Sequence, residues 1–114
     1  MLLIYEYVTE TRIIKGIDYI EFRELIDKFK DKIKVNPHAY FRLNEMQRKV
    51  YKDETLVETL TEEKPAFIGI QKNQNYATFF SKKQGYLRLM FKVKKDYIEI
   101  ITFYITDNIP KYKK

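Results

Sequence analysis

Residues 66–106 read AFIGIQKNQNYATFFSKKQGYLRLMFKVKKDYIEIITFYIT. Four runs in this stretch, 66–72, 76–81, 86–94 and 97–106, are rich in β-branched and aromatic residues. The connectors, 73–75, 82–85 and 95–96, are short and polar. Connectors of that length join antiparallel neighbours, so the stretch predicts a four-stranded meander. In the third run Leu87, Leu89, Phe91 and Val93 alternate with Tyr86, Arg88, Met90, Lys92 and Lys94. In the fourth, simple alternation puts Ile98, Ile100, Thr102, Tyr104 and Thr106 on one face. Glu99, Ile101, Phe103 and Ile105 then take the other face. This run is apolar on both faces near its middle, as a central strand would be.

Upstream of the meander the apolar period changes to that of a helix. Asp18 opens a helix, with Glu21 three residues later and Ile17 placed to staple onto Phe22. Phe22, Leu25, Ile26, Phe29 and Ile33 keep helical spacing. Glu21, Glu24, Asp27, Lys28, Asp31 and Lys32 make the solvated side, where i, i+4 pairs form. After a short link at 32–35, Asn36 caps and Pro37 begins a second helix, which runs to about Lys49. Ala39, Leu43, Met46 and Val50 form its apolar stripe, and His38, Arg42, Glu45 and Lys49 the polar stripe beside it. Asp53 caps a third, short helix with Leu56, Val57 and Leu60 inward, and Lys64-Pro65 ends it. Residues 2–8 alternate as a strand, which residues 9–15 extend or return from. The chain is therefore read as one α+β domain over 1–114, with helices packed on one face of an antiparallel sheet and a C-terminal four-stranded meander.

Composition narrows the function. The 114 residues include 45% apolar and 16% aromatic side chains, enough for a single core. No apolar run approaches the ~20 residues that span a bilayer, so no membrane partner is expected. The start, MLLIYEYV, has no basic leader and is interrupted by Glu6, which argues against a signal peptide and for the cytoplasm. There is no cysteine and one histidine, so neither a disulfide nor a zinc site is expected, and no metal or cofactor. Lys and Arg number 22 against 16 Asp and Glu, a formal charge of +6. Such a surface attracts polyanions through counterion release.

Four groups of residues carry candidate chemistry. Cleavage of RNA by its own 2′-hydroxyl needs no metal. It needs a base, cations for the charge growing on the phosphoryl oxygens, and a proton for the leaving oxygen. His38 with Arg42 one turn away supplies part of this set. On the third strand, Arg88 and Lys92 share a face with Tyr86, and Tyr86 and Tyr104 offer rings on which bases stack. Thr102 and Tyr104 interrupt the apolar pattern of the last strand and are candidates to line a cleft. Lys82, Lys83, Lys94, Lys95, Lys111, Lys113 and Lys114 form a basic rim at turns and tail.

The run VNPHAYFRLNEMQRK, a following short helix and a meander ending ITFY together resemble the small toxin-like RNases. These form the grouping that joins RelE, BrnT, barnase-like, EndoU and colicin-type nucleases. Their "HAxxRMxER" helix corresponds here to HAYFRLNEMQRK. His38, Ala39, Arg42, Leu43 and Arg48 match in type, Gln47 stands where Glu is usual, and the spacing is longer by two residues. The likeness spans residues 34–104. It implies a metal-independent endoribonuclease, with RNA (including ribosome-associated mRNA) as substrate and an antitoxin protein as partner. His38, Arg42, Arg88, Thr102 and Tyr104 would be its catalytic residues. Tyr86, Lys92, Lys94 and Lys49 would bind the RNA. Two other readings use the same fold: a nucleic-acid-binding module without catalysis, and a protein-interaction module whose strand edges mediate dimerisation. Geometry separates them, because the nuclease requires His38, Arg42, Arg88 and Tyr104 to converge on one concave surface.

Overall fold

The structure, a computed structural model, describes residues 10–41 and 43–111. The elements are β1 (Ile13–Gly16), α1 (Tyr19–Lys28), β2 (Ile33–Val35), a 3-10 helix (Pro37–Tyr40), α2 (Glu45–Val50), α3 (Asp53–Glu62), β3 (Phe67–Gln71), β4 (Tyr76–Lys82), β5 (Gly85–Val93) and β6 (Ile98–Thr106). The strands form one sheet in the order β1-β3-β4-β5-β6-β2. The meander β3 to β6 is antiparallel throughout, as its short connectors require. The chain is α+β, with the meander at its C-terminal end. The predicted strand over residues 2–8 lies outside the described residues.

The layer above the sheet is built by α1 and α3. Asp18 caps α1 by accepting from the Glu21 amide at 2.8 Å, and the helix lays Phe22 and Ile26 on the sheet. Leu56 and Leu60 of α3 join them, over Ile68, Phe80, Leu87, Leu89, Phe91, Ile98, Ile100 and Phe103. Each fully buried Leu, Ile or Phe contributes about 1.5–3 kcal/mol of transfer free energy. Tyr76 lies parallel to Phe91 with centroids 4.9 Å apart, which closes this core below β4.

Four departures from the sequence reading decide where the functional side chains go. First, residues 33–35 are a strand, parallel to β6, instead of a link and the end of α1. Three residues carry no readable period, and Ile33 is equally apolar in a helix or a strand. Second, β6 holds a bulge: Phe91 opposes Ile100 while Met90 opposes Thr102. Ile101 is the extra residue, and one extra residue reverses the alternation beyond it. Ile98, Ile100, Phe103 and Ile105 therefore all face the helices, and Thr102, Tyr104 and Thr106 face away.

Third, the second helix is two pieces. Pro37–Tyr40 is a 3-10 turn begun by Asn36, and Asn44 starts α2 through a reciprocal capping box with Gln47. The break rotates the stripe, so Ala39 is buried but Met46 and Val50 are 78% and 63% exposed. Asp53 is the first residue of α3, not its cap, and its carboxylate accepts from the Tyr40 hydroxyl. Fourth, the far face of the sheet is not open. Ile13, Ala77, Phe79 and Met90 are buried there, with Phe67, Tyr86, Tyr104 and Ile109 packed around them.

The β4–β5 turn depends on Gly85, whose φ is +133°. A Cβ there would lie 2.5 Å from the Thr106 carbonyl oxygen. Gly85→Ala is expected to cost about 1–3 kcal/mol, read as a lower urea midpoint at unchanged m-value.

Candidate nucleic-acid interface

The sequence-predicted site residues fall into separate places. The 3-10 helix that carries His38 docks on the helix-covered side: Ala39 enters the main core, and Tyr40 meets Phe103 edge-on at 5.5 Å. His38 itself is exposed, and its amide donates to the Asn36 side chain. Arg88 alternates with Leu87 and Leu89, both in that core, so it projects from the opposite face. The expected pairing of imidazole and sheet guanidinium on one phosphate is therefore not formed: the sheet lies between them. Arg42 lies outside the described residues.

Thr102, Tyr104, Arg88 and Tyr86 do share a face. Arg88 opposes Tyr104, and Tyr86 opposes Thr106. That face is closed at its centre, however. Arg88 is 6% exposed, with Phe79 and Tyr104 ring centroids 5.2 and 5.9 Å from its guanidinium carbon. Its Nη2 donates to the Thr11 carbonyl at 2.9 Å and to Gln71 Oε1 at 2.8 Å, and Nε has no partner among the described residues. Burial lowers the Arg88 pKa, and the nearby Tyr104 offsets this in part. Both acceptors are neutral. The cation is held by dipoles and ring faces, so it tethers strands and does not present itself to a phosphate. Gln71 passes the contact on, donating to Asn73 at 3.1 Å and so holding the β3–β4 turn.

A cleft of about 460 Å³ lies between the 3-10 helix and the start of α3, lined by Tyr40, Arg48, Tyr51, Lys52, Asp53 and Glu54. Tyr40 donates to Asp53 Oδ1 at 2.5 Å. Burial, then the Asp53 hydrogen bond and charge, raise its pKa far above the ordinary phenol value. Tyr40 is thereby held protonated and is a poor proton donor to a leaving group near neutral pH. Asp53 and Glu54 also counter Arg48 and Lys52.

The lysines collect elsewhere. Lys30, Lys32, Lys34, Lys92, Lys94 and Lys95 lie in or within three residues of one end of β2, β5 and β6, against Asp31, Asp96 and Glu99. Lys34 and Lys92 flank Glu99 across three strands. Neighbouring strands are ~4.8 Å apart, so the backbones of these two lysines are about 10 Å apart along the row. Glu99 accepts from Asn36 Nδ2 at 3.3 Å, and Lys34 Nζ sits 4.8 Å from the Tyr97 ring centroid. The two ion pairs among the described residues, Arg23–Asp27 and Lys82–Glu63, lie away from this group. Lys92 and Lys94, expected from the sequence to bind RNA, both fall in this group. Lys49 is exposed on α2, on the helix side, and Tyr86 is six residues back along β5, roughly 20 Å at strand rise. Lys30, Lys32 and Lys34 were not singled out in the sequence, because their proximity to β5 depends on the parallel pairing of β2.

Among the described residues no group of three His, Cys, Asp or Glu is placed to hold a metal ion, and no helix is long and apolar enough to cross a membrane. No family model, no curated protein and no solved structure matches the chain.

Arg88→Ala removes two hydrogen bonds and leaves a cavity between two rings, with an expected cost of about 3 kcal/mol in urea unfolding. Arg88→Met should recover part of that, since its side chain refills the space between the rings. A raised phenol pKa in the folded chain contributes stability that is present below the unfolded value, about 10, and is lost as pH rises beyond it. Urea midpoints should accordingly fall above that pH, and less steeply for Tyr40→Phe than for the wild type.

Proposed function

We propose that the protein is a nucleic-acid-binding module that acts without cutting, and that the lysines at the shared end of β2, β5 and β6 hold the phosphates. The observation that carries this is the placement of six lysines at one sheet end, none of them in an ion pair among the described residues. The strand ladder fixes the backbones of Lys34 and Lys92, a flexible single strand of RNA can adapt to the side chains, and Tyr97 beside Lys34 adds an aromatic neighbour. Affinity built on such contacts is electrostatic, with little preference for sequence.

The nuclease expectation needs one phosphate between imidazole and guanidinium. His38 and Arg88 stand on opposite sides of the sheet, so these two side chains share no substrate position. The helix motif in the likeness to toxin RNases is here broken between Tyr40 and Glu45.

Titrating labelled single-stranded RNA at several salt concentrations tests the reading. Each phosphate contact contributes about 0.7 to the log–log salt slope for single strands. The combined variant Lys34→Ala, Lys92→Ala, Lys94→Ala should lower that slope by about 2 and weaken binding roughly tenfold or more. RNA incubated with the wild type in EDTA should stay intact, and His38→Ala should behave identically. EDTA-resistant cleavage lost in His38→Ala would reinstate the enzyme, and a salt-independent affinity would exclude the lysine end.

A further inference from the structure

The lysine row continues past Lys92 onto β4, where its chemistry changes from cation to amide. Phe91 and Val93 of β5 face the helices, as do Ile98 and Ile100 of β6 and Ile33 and Val35 of β2. Lys92, Glu99 and Lys34 alternate with them and pair across the strands, so all three share the far face. On β4, Tyr76 opposes Phe91 and stacks on it, which puts it on the helix side, and Ala77 is buried on the far face. Asn75 precedes Tyr76, as Lys92 follows Phe91 on the antiparallel neighbour. Asn75 thus falls beside Lys92 on the far face, one strand spacing of ~4.8 Å away. Across β4, β5, β6 and β2 the row reads amide, cation, carboxylate, cation.

The β3–β4 turn holds Asn75 without using its side chain. The Gln71 amide donates to the Asn75 carbonyl at 2.8 Å, and the Asn75 amide donates to Asn73 Oδ1 at 3.0 Å. Asn73 Oδ1 also accepts from Gln71 Nε2 at 3.1 Å. The Gln74 amide closes the turn onto the Gln71 carbonyl at 2.8 Å, with a φ of +74° at Gln74. Asn73 is therefore the side chain that builds the turn. The side-chain amide of Asn75 makes no hydrogen bond to a described residue, and the residue is half-buried. A donor and an acceptor on a fixed backbone, at the end of a cationic row, are preorganised for a polar partner.

We infer that Asn75 hydrogen-bonds the edge of an unpaired base, in an RNA strand whose phosphates lie on Lys92 and Lys34. This rests on the reading of the lysine end as a single-strand site and adds a base contact to it. Lysine contacts to phosphate carry no sequence information, whereas base edges offer the adjacent donors and acceptors that an amide pairs with. The far-face neighbours of Asn75 on β3 and β4, Gln71 and Ala77, are uncharged and buried. A phosphate therefore gains less at this position than a base does.

The test compares two oligomers of equal length and charge, one of RNA and one with abasic residues on the same phosphodiester chain. Asn75→Ala should weaken RNA roughly fivefold, leave the abasic chain unchanged, and keep the wild-type salt slope and urea midpoint. In the wild type, RNA should shift the Asn75 side-chain amide resonances, and the abasic chain should not. Equal loss for both oligomers, loss for neither, or an Asn75 resonance indifferent to RNA would overturn the inference. Salt-dependent RNA binding that the three lysine substitutions weaken would survive any of these and leave the lysine end standing. Wild-type protein that binds neither oligomer would overturn both readings.

Discussion

The facing of Thr102 and Tyr104, and with it the surroundings of Arg88, depends on one extra residue in β6. With Ile101 inserted opposite the Met90–Phe91 step, the strand contributes Ile98 and Ile100 before the bulge and Phe103 and Ile105 after it to the same core. Without it, strict alternation would turn Phe103 and Ile105 away from the helices and bring Thr102 and Tyr104 beneath them. The bulge lets one long edge-proximal strand stay apolar on the helix side over its whole length. It also sends Tyr104 to the far face, where its ring meets the Arg88 guanidinium. The local rise in twist that bulges bring suits the change of neighbour at this point, where β2 ends and the 3-10 helix crosses above.

Arg88 follows from that arrangement. A guanidinium taken out of water costs several kcal/mol unless its donors and charge are met. Here two neutral oxygens and two ring faces meet part of the need, and Nε is left over. The gain is connection. A single side chain on β5 reaches the Thr11 carbonyl beside β1 and the Gln71 side chain on β3, across the whole width of β4. Lysine, a point charge without a fork, would make fewer of these contacts and stack less well. The same enclosure that makes Arg88 a tether keeps it from serving as a phosphate ligand. A basic strand position in a sequence therefore does not identify an anion site until the burial of its face is known.

The meander was legible because it combines dense β-formers with short polar connectors, and the four runs fall within two residues of β3 to β6. The start of α1 was legible from Asp18 and Glu21, a local signal with a local cause. What stayed hidden was set by tertiary contact. β2 is three residues, stabilised by its parallel neighbour and not by any pattern of its own. The bulge has no sequence mark, since Ile100-Ile101 reads as continuous strand. The break after Tyr40 did leave a trace, Asn44 with Gln47 three residues later, but the longer stripe from Ala39 to Val50 outweighed it in the reading. Met46 and Val50 were therefore assigned to a core that they do not enter. The lysine end could be read only in part for a related reason: Lys92 and Lys94 are on the meander, whereas Lys34 comes to them through β2.

The two halves of β6 also differ in how their outer edge is protected. Chains commonly guard an exposed edge with lysine, proline or a strand too short to template another. Along 98–100 the guard is β2, with Lys34 directly beside Glu99. Along 102–106 the residues are Thr, Phe, Tyr, Ile and Thr, with no charge and no proline. Pro37 stands at the division, and it stops the neighbouring strand one rung after Val35. The 3-10 helix that follows packs Ala39 and Tyr40 onto the helix-side face of β6, and the cover it supplies is to that face and not to the edge. A few charged side chains within 102–106 would have sufficed to guard this edge against association. On the helix side of this edge, Leu43, Gln47 and Tyr51 line a groove with Leu87, Phe103 and Ile105.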